Sequence, residues 1–176
     1  MKRLPLAGLL VTPIAALIFF AAFGIPWLID HQPRAAMAQP IDFDHQVHAG
    51  DLGLDCLFCH RSAVAGVSAG LPSIEQCMAC HGVVNGSGTA QQTEIEKVRK
   101  AWQEQKPVDW LRIHRLPDHV RFEHAMHIQA GLSCAACHGD VAKMSQVTQV
   151  RPLHMADCVG CHQVMQAPTE CATCHF

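Results

Sequence analysis

The chain has 176 residues, 49% of them hydrophobic, 16% charged and 6% aromatic, with ten Cys, 13 His and no Tyr. A chain so poor in charge and so rich in cysteine is not a solvated coil. Thirteen Lys and Arg against 15 Asp and Glu lack the basic footprint of a nucleic-acid binder.

From Leu4 to Ile29 no side chain is charged or an amide; Lys2 and Arg3 precede the run and Asp30 ends it. A signal-peptide apolar region is about 7–15 residues long, whereas a membrane span needs about 20. Residues 1–30 are therefore expected to be a single, somewhat tilted transmembrane helix, with Pro13 inside it and Trp27 at its interface. The two N-terminal cations place the N-terminus on the cytoplasmic side. The remainder then lies on the periplasmic, outer side of a bacterial inner membrane. Ala36-Met37-Ala38 before Gln39 has the form of a cleavage site, but the retained anchor is the preferred reading. His31, beside the membrane, is not expected to be a ligand.

All ten cysteines fall into one pattern. It reads Cys56-x-x-Cys59-His60, Cys77-x-x-Cys80-His81, Cys134-x-x-Cys137-His138, Cys158-x-x-Cys161-His162 and Cys171-x-x-Cys174-His175. C-x-x-C-H is the attachment motif of c-type haem. The two thiols form thioethers with the porphyrin vinyls, and the adjacent His reaches the iron as proximal ligand. Zinc sites and disulfide frameworks also use paired cysteines, but neither requires a His after every second one. Five covalent haem c groups are expected. The porphyrins supply apolar surface, so the fold should be mostly α and irregular, haem-packed, with little sheet.

The chain repeats. Phe43-x-His45-x-x-His48 leads to Gly53-Leu54-x-Cys56, and Phe122-x-His124-x-x-His127 leads to Gly131-Leu132-x-Cys134, with one residue inserted in the first copy. A dihaem module is placed at 41–82 and a trihaem module at 120–176, with a linker at 83–119. Gly82 to Gln92 reads as a flexible loop. A helix is predicted over 93–106, capped by Thr93 and Glu96 and stopped by Pro107, with Ile95, Val98 and Trp102 on its inner face and a Glu96–Lys100 ion pair. Pro107 to Val120 reads as an extended connector.

Eight histidines lie outside the motifs, and a relay haem usually takes a second axial ligand that sets its potential. His114 and His119 have two readings, as ligands across modules or as hydrogen-bonding groups, and the second is simpler. Met155 is a rival to His154 as a distal ligand, and Met/His ligation raises the potential.

The F-x-H-x-x-H units resemble those of the class III multihaem cytochromes c. That resemblance implies pairing of His45 with His60, His48 with His81, His124 with His138, His127 with His162 and His154 with His175. The run from Trp110 to His127, the Cys134-Ala-Ala-Cys-His-Gly-Asp-Val segment, Met155-x-x-Cys158 and the closing Cys-Ala-Thr-Cys-His-Phe are more specifically similar to the pentahaem subunit of alternative complex III. Its family commonly has Thr where His154 stands. This second resemblance implies a non-enzymatic relay in a menaquinol-oxidising complex. Its partners would be an iron–sulfur subunit, polytopic quinol-binding membrane subunits, and a periplasmic cytochrome, copper protein or oxidase as acceptor. The alternative is a membrane-anchored quinol dehydrogenase feeding a periplasmic reductase, which usually holds four haems.

Overall fold

The computed structural model describes residues 6–30 and 36–176. Lys2, Arg3 and His31, and with them the expectations for membrane orientation and for a non-ligating His31, lie outside that range. The N-terminal apolar run is helical but not one regular helix. It divides into α1 (Leu6–Phe19), a π segment (Phe20–Gly24) and α2 (Ile25–Asp30). Among the described residues no helix is long and apolar enough to cross a membrane, so the single spanning helix expected from composition is not found as such. The π segment opens the backbone at Gly24, where a Cβ would lie 2.5 Å from the Phe20 ring.

The rest is short helices and loops. The first His-rich unit forms a π-helix (Gln46–Asp51), followed by α3 (Cys56–Cys59), a 3-10 turn (Arg61–Val64) and α4 (Ile74–His81). Next come α5 (Thr89–Gln103), α6 (His124–Gln129), α7 (Ala135–His138), a 3-10 turn (Val141–Lys143), α8 (Met155–Val164) and α9 (Cys171–Cys174). Among the described residues no ladder exceeds an isolated bridge, such as the antiparallel pair Val120 and His175.

The inserted residue of the first repeat explains the difference between the two His-rich units. Module two closes α6 with a Schellman motif. Gly131 takes φ +82°, its N–H donates to Ile128, and the Leu132 N–H donates to the His127 carbonyl. In module one Gly53 takes φ +65° and the Leu54 N–H donates to the His48 carbonyl. The same ends are joined across one more residue, and the extra residue is absorbed as a π turn.

Helix α5 starts four residues before the predicted Thr93. The side chain of Gln91 accepts from the backbone N–H groups of Ser87 and Gly88, so the cap lies at Gly88. Thr93 is inside the helix and its hydroxyl donates back to the Thr89 carbonyl. The loop between α4 and α5 is correspondingly shorter than composition suggested. The helix ends at Gln103, ahead of Pro107. Gln105 at φ +52° closes another Schellman motif, with the Lys106 N–H on the Ala101 carbonyl. Ile95 and Val98 are buried and Trp102 is half-buried beside them. The predicted Glu96–Lys100 pair is replaced. Glu96 pairs with Arg99, and Lys100 reaches Glu104 at 3.9 Å. Glu94 pairs with Lys97 and also accepts the Asp42 N–H at 2.8 Å. The connector after Pro107 has no helix, as its composition predicts.

The polypeptide buries little of itself. Among the described residues the buried apolar positions are Ile41, Ala63, Ile95, Val98 and Ala125. Leu52, Phe58, Val67, Leu71, Val164 and Phe176 are all exposed. The two modules instead exchange segments. Helix α6 of module two packs on the 3-10 turn after the first motif, where the N–H groups of His124 and Ala125 donate to the Val67 and Gly66 carbonyls. In return, the π-helix of module one packs on the turn after the third motif, where the Gln46 N–H donates to the Met144 carbonyl at 3.0 Å. Gly50 makes this second approach possible, because a Cβ there would lie 2.4 Å from the Ala142 carbonyl oxygen.

Candidate haem sites

Each C-x-x-C pair sits on a helical turn, so the two sulfurs, three residues apart, share one face. The same local bond recurs. The N–H groups of His60, His138 and His175 donate to the carbonyls of Cys56, Cys134 and Cys171, at 2.9 to 3.0 Å. Asp55 caps the first of these turns by accepting the Leu57 N–H. None of the ten cysteines is in a disulfide. Among the described residues no three His, Cys, Asp or Glu side chains converge as a structural zinc site would require.

The thiols also report which motifs are neighbours. Burial, then the adjacent Cys134, pushes the Cys56 thiol up. Burial, then Cys59, raises Cys77. Burial outweighs Arg151 at Cys137, with Cys161 and Cys134 adding to the rise. At Cys158 burial is followed by Asp157, Cys174 and Cys137. In space the motifs therefore run second, first, third, fourth, fifth, with the first and third meeting where the modules exchange segments.

The histidines are oriented by the backbone. The Nδ1–H of His48 donates to the Asp44 carbonyl at 2.7 Å and that of His127 to the Glu123 carbonyl at 2.9 Å. His124 donates across the module boundary to Val67 at 2.7 Å. Among the motif histidines, His60 donates to Gly70, His81 to Val84 and His162 to Pro168, at 2.6 to 3.2 Å. A ring that donates from Nδ1 leaves the Nε2 lone pair for a metal. Burial, then His60 and His48, pulls His45 down to about 4 against a smaller upward pull from Asp44. Burial, then His114, His124 and His60, likewise pulls His138 down to about 4. Both are neutral near pH 7, the form that ligates iron.

An imidazole nitrogen lies about 2.0–2.1 Å from zinc, a metal of the same row as iron, so two imidazoles that held one iron between them would have centres about 6 Å apart. His48 and His81 are 6.0 Å apart, His127 and His162 6.1 Å, and His124 and His138 6.4 Å with ring planes within 7°. The charge of His60 is, after burial, the next cause that lowers His45. The donor set therefore fits haem with two imidazole ligands. His154 caps α8, its N–H donating to Asp157 at 2.8 Å, with its Nε2 buried. The imidazole that lies nearly parallel to that of His175 is His119's, 5.6 Å away between centres and 17° between planes. The reason is backbone pairing. The Arg121 N–H donates to Cys174 and the Phe176 N–H to His119, so the connector runs beside the last motif. Met155, next to His154, is 68% exposed.

Three further residues hold the histidines or their loops in place. Phe43 stacks on His48 at 4.3 Å and meets His45 edge-on at 4.8 Å. Phe122 repeats this with His127 at 4.6 Å and His124 at 4.9 Å. The duplicated F-x-H-x-x-H was the signal for these two, since Phe recurs with the pair. Arg99 is the third. It donates to the His81 carbonyl at 2.9 Å and to Asn85 at 2.6 Å, fixing the loop behind the second motif. No sequence spacing announces it. His114 lies 4.4 Å from His138, closer than two ligands of one iron would stand. Its pKa is lowered by burial and its Nε2 is buried without a hydrogen-bond partner among the described residues.

Residues 28–116 match the family described as class III cytochrome C, and residues 120–176 match cytochrome c7 and related cytochrome c. The multihaem cytochrome c subunit of menaquinone reductase from Nitratidesulfovibrio vulgaris (strain Hildenborough) is 30% identical over 175 residues, covering 85% of this chain and 82% of that protein.

Proposed function

We propose, because the chain belongs to the class III cytochrome c family, that it is the multihaem electron-relay subunit of a menaquinone-linked membrane complex. The observation that carries this reading is the set of imidazole pairs about 6 Å apart, each ending on a C-x-x-C-H. Haem, when bound, supplies a one-electron couple whose potential follows its axial ligands and their hydrogen bonds. The chain's own part is to hold and orient. The thiols anchor each macrocycle and the Nδ1–H bonds fix the imidazole tautomers. Exposed apolar side chains such as Leu52, Val67 and Val164 are the surface a porphyrin face would cover.

Electrons are proposed to follow the neighbour order of the motifs, from the second through the first, third and fourth to the fifth or the reverse. A relay has no chemical direction of its own, and the potential difference between its partners sets one. The Nitratidesulfovibrio protein is named for menaquinone reduction, whereas the alternative complex III resemblance implies menaquinol oxidation. In either sense the proposed partners are an iron–sulfur subunit, polytopic subunits holding the quinone, and a periplasmic redox protein. The helical run Leu6–Asp30 is proposed as the membrane anchor, its segments acting together, with the haem modules on the outer side.

Extraction in mild detergent, with mass spectrometry of stoichiometric partners, tests this. Recovery with an iron–sulfur protein and polytopic subunits is the expected result. Recovery alone, with quinol oxidation by the isolated chain, would contradict it and make the chain a quinol dehydrogenase in its own right.

A further inference from the structure

We infer that His119, in the connector between the modules, is the distal ligand of the fifth haem. The inference rests on the haem reading above but not on any partner or direction of flow. Family resemblance assigns this role to His154, four residues before Cys158. The structure instead brings the His119 ring next to that of His175 and nearly parallel to it, with 5.6 Å between centres and 17° between planes. The other pairs stand slightly further apart, at 6.0 to 6.4 Å, and all four lie close to the about 6 Å that two imidazoles holding one iron would need.

The placement is built by the backbone on both sides. Val120 and His175 form an antiparallel bridge. The Arg121 N–H donates to the Cys174 carbonyl at 2.7 Å, and the Phe176 N–H to the His119 carbonyl at 3.4 Å. The Val120 N–H donates to Pro117 at 2.9 Å, closing a turn that presents His119. The Arg121 guanidinium lies over the Phe176 ring, 4.6 Å from its centre. A connector that only spaced two modules would need none of these contacts with the last three residues. With His119 on the fifth haem, the five motif histidines have five partners: His45, His48, His124, His127 and His119. The connector then becomes part of the last haem site, and ligation ties the start of module two to its end.

The test uses the full chain with its haems attached. His119→Met is compared with His154→Met by redox titration and low-temperature spectroscopy. His119→Met is expected to keep five haems, to raise one of the five potentials and to add a sulfur-to-iron charge-transfer band, because Met/His ligation raises the potential. His154→Met is expected to add no such band and to keep five low-spin haems. As a second variant, His119→Ala converts one haem in five to a high-spin form, and added imidazole restores it. The inference is overturned if His119→Met moves no potential, if His154→Met adds the band instead, or if His119→Ala keeps five low-spin haems. Haem counting by mass on the unsubstituted chain separates this from failure of the haem reading, which would show fewer than five.

Discussion

Phe43 stacks on His48 at 4.3 Å with 27° between planes, and the duplicated unit repeats the contact between Phe122 and His127 at 4.6 Å and 33°. The second His of each unit also donates to the carbonyl four residues back, of Asp44 or Glu123. Two constraints thus hold one ring. The carbonyl sets which nitrogen is bare, and the Phe sets the plane. Phe122→Leu keeps an apolar side chain and removes the stacking. It is expected to cost about 0.5–1.5 kcal/mol and to shift one haem potential while five haems remain. Thermal unfolding and a redox titration of the variant check both.

Gly131 is held at φ +82° with nothing within 4 Å of an added Cβ. The cost of Gly131→Ala is therefore conformational, about 1–2 kcal/mol. At this size that lowers Tm by about 2–4 °C per kcal/mol. Calorimetry should show the loss without a change in haem spectra. An unchanged Tm would mean the helix does not end in this turn.

Arg99 links α5 to the loop behind His81 through the His81 carbonyl and Asn85. Arg99→Ala is expected to cost about 1.5–3 kcal/mol, as for hydrogen bonds to a charged group, and to shift the potential of the second haem only. Arg99→Lys should not restore it, because an ammonium cannot span both acceptors in the guanidinium's planar geometry. A redox titration in which no single haem moves would contradict this role.

What could be read from sequence was what depends on short spacing. The C-x-x-C-H motifs, the two His pairs, the inserted residue, and Ile95 and Val98 on the inner face of α5 are all local. The start of α5 was misplaced because Gln91 reaches back to Ser87 and Gly88, a cap without Ser, Thr, Asp or Asn at its first position. The approach of His119 to His175 was not legible. It depends on a bridge between residues far apart in the chain. The exchange of segments between modules, anchored by His124 on Val67 and Gln46 on Met144, is likewise a long-range choice that local pattern cannot encode.

That exchange gives the junction its own test. Gly50→Ala would place a Cβ 2.4 Å from the Ala142 carbonyl oxygen, and backbone has to move to relieve it. The expected cost is about 1–3 kcal/mol, as for overpacking. Electron transfer between the two halves should slow while each half keeps its potentials. Rapid-mixing reduction of the holoprotein, followed haem by haem, reads this directly. Uniform, unslowed reduction would place the contact between modules elsewhere.

The most direct measurement removes the third haem, the one next to the first across the junction. Cys134→Ala with Cys137→Ala leaves four attachment motifs, and the complex is isolated with its partners. Quinone-linked turnover between the complex and its periplasmic redox partner is then measured, alongside haem content and assembly. The relay account predicts an assembled complex with four haems and turnover lost, the remaining haems reducing only on the side where electrons enter. An assembled four-haem complex with turnover undiminished would contradict it.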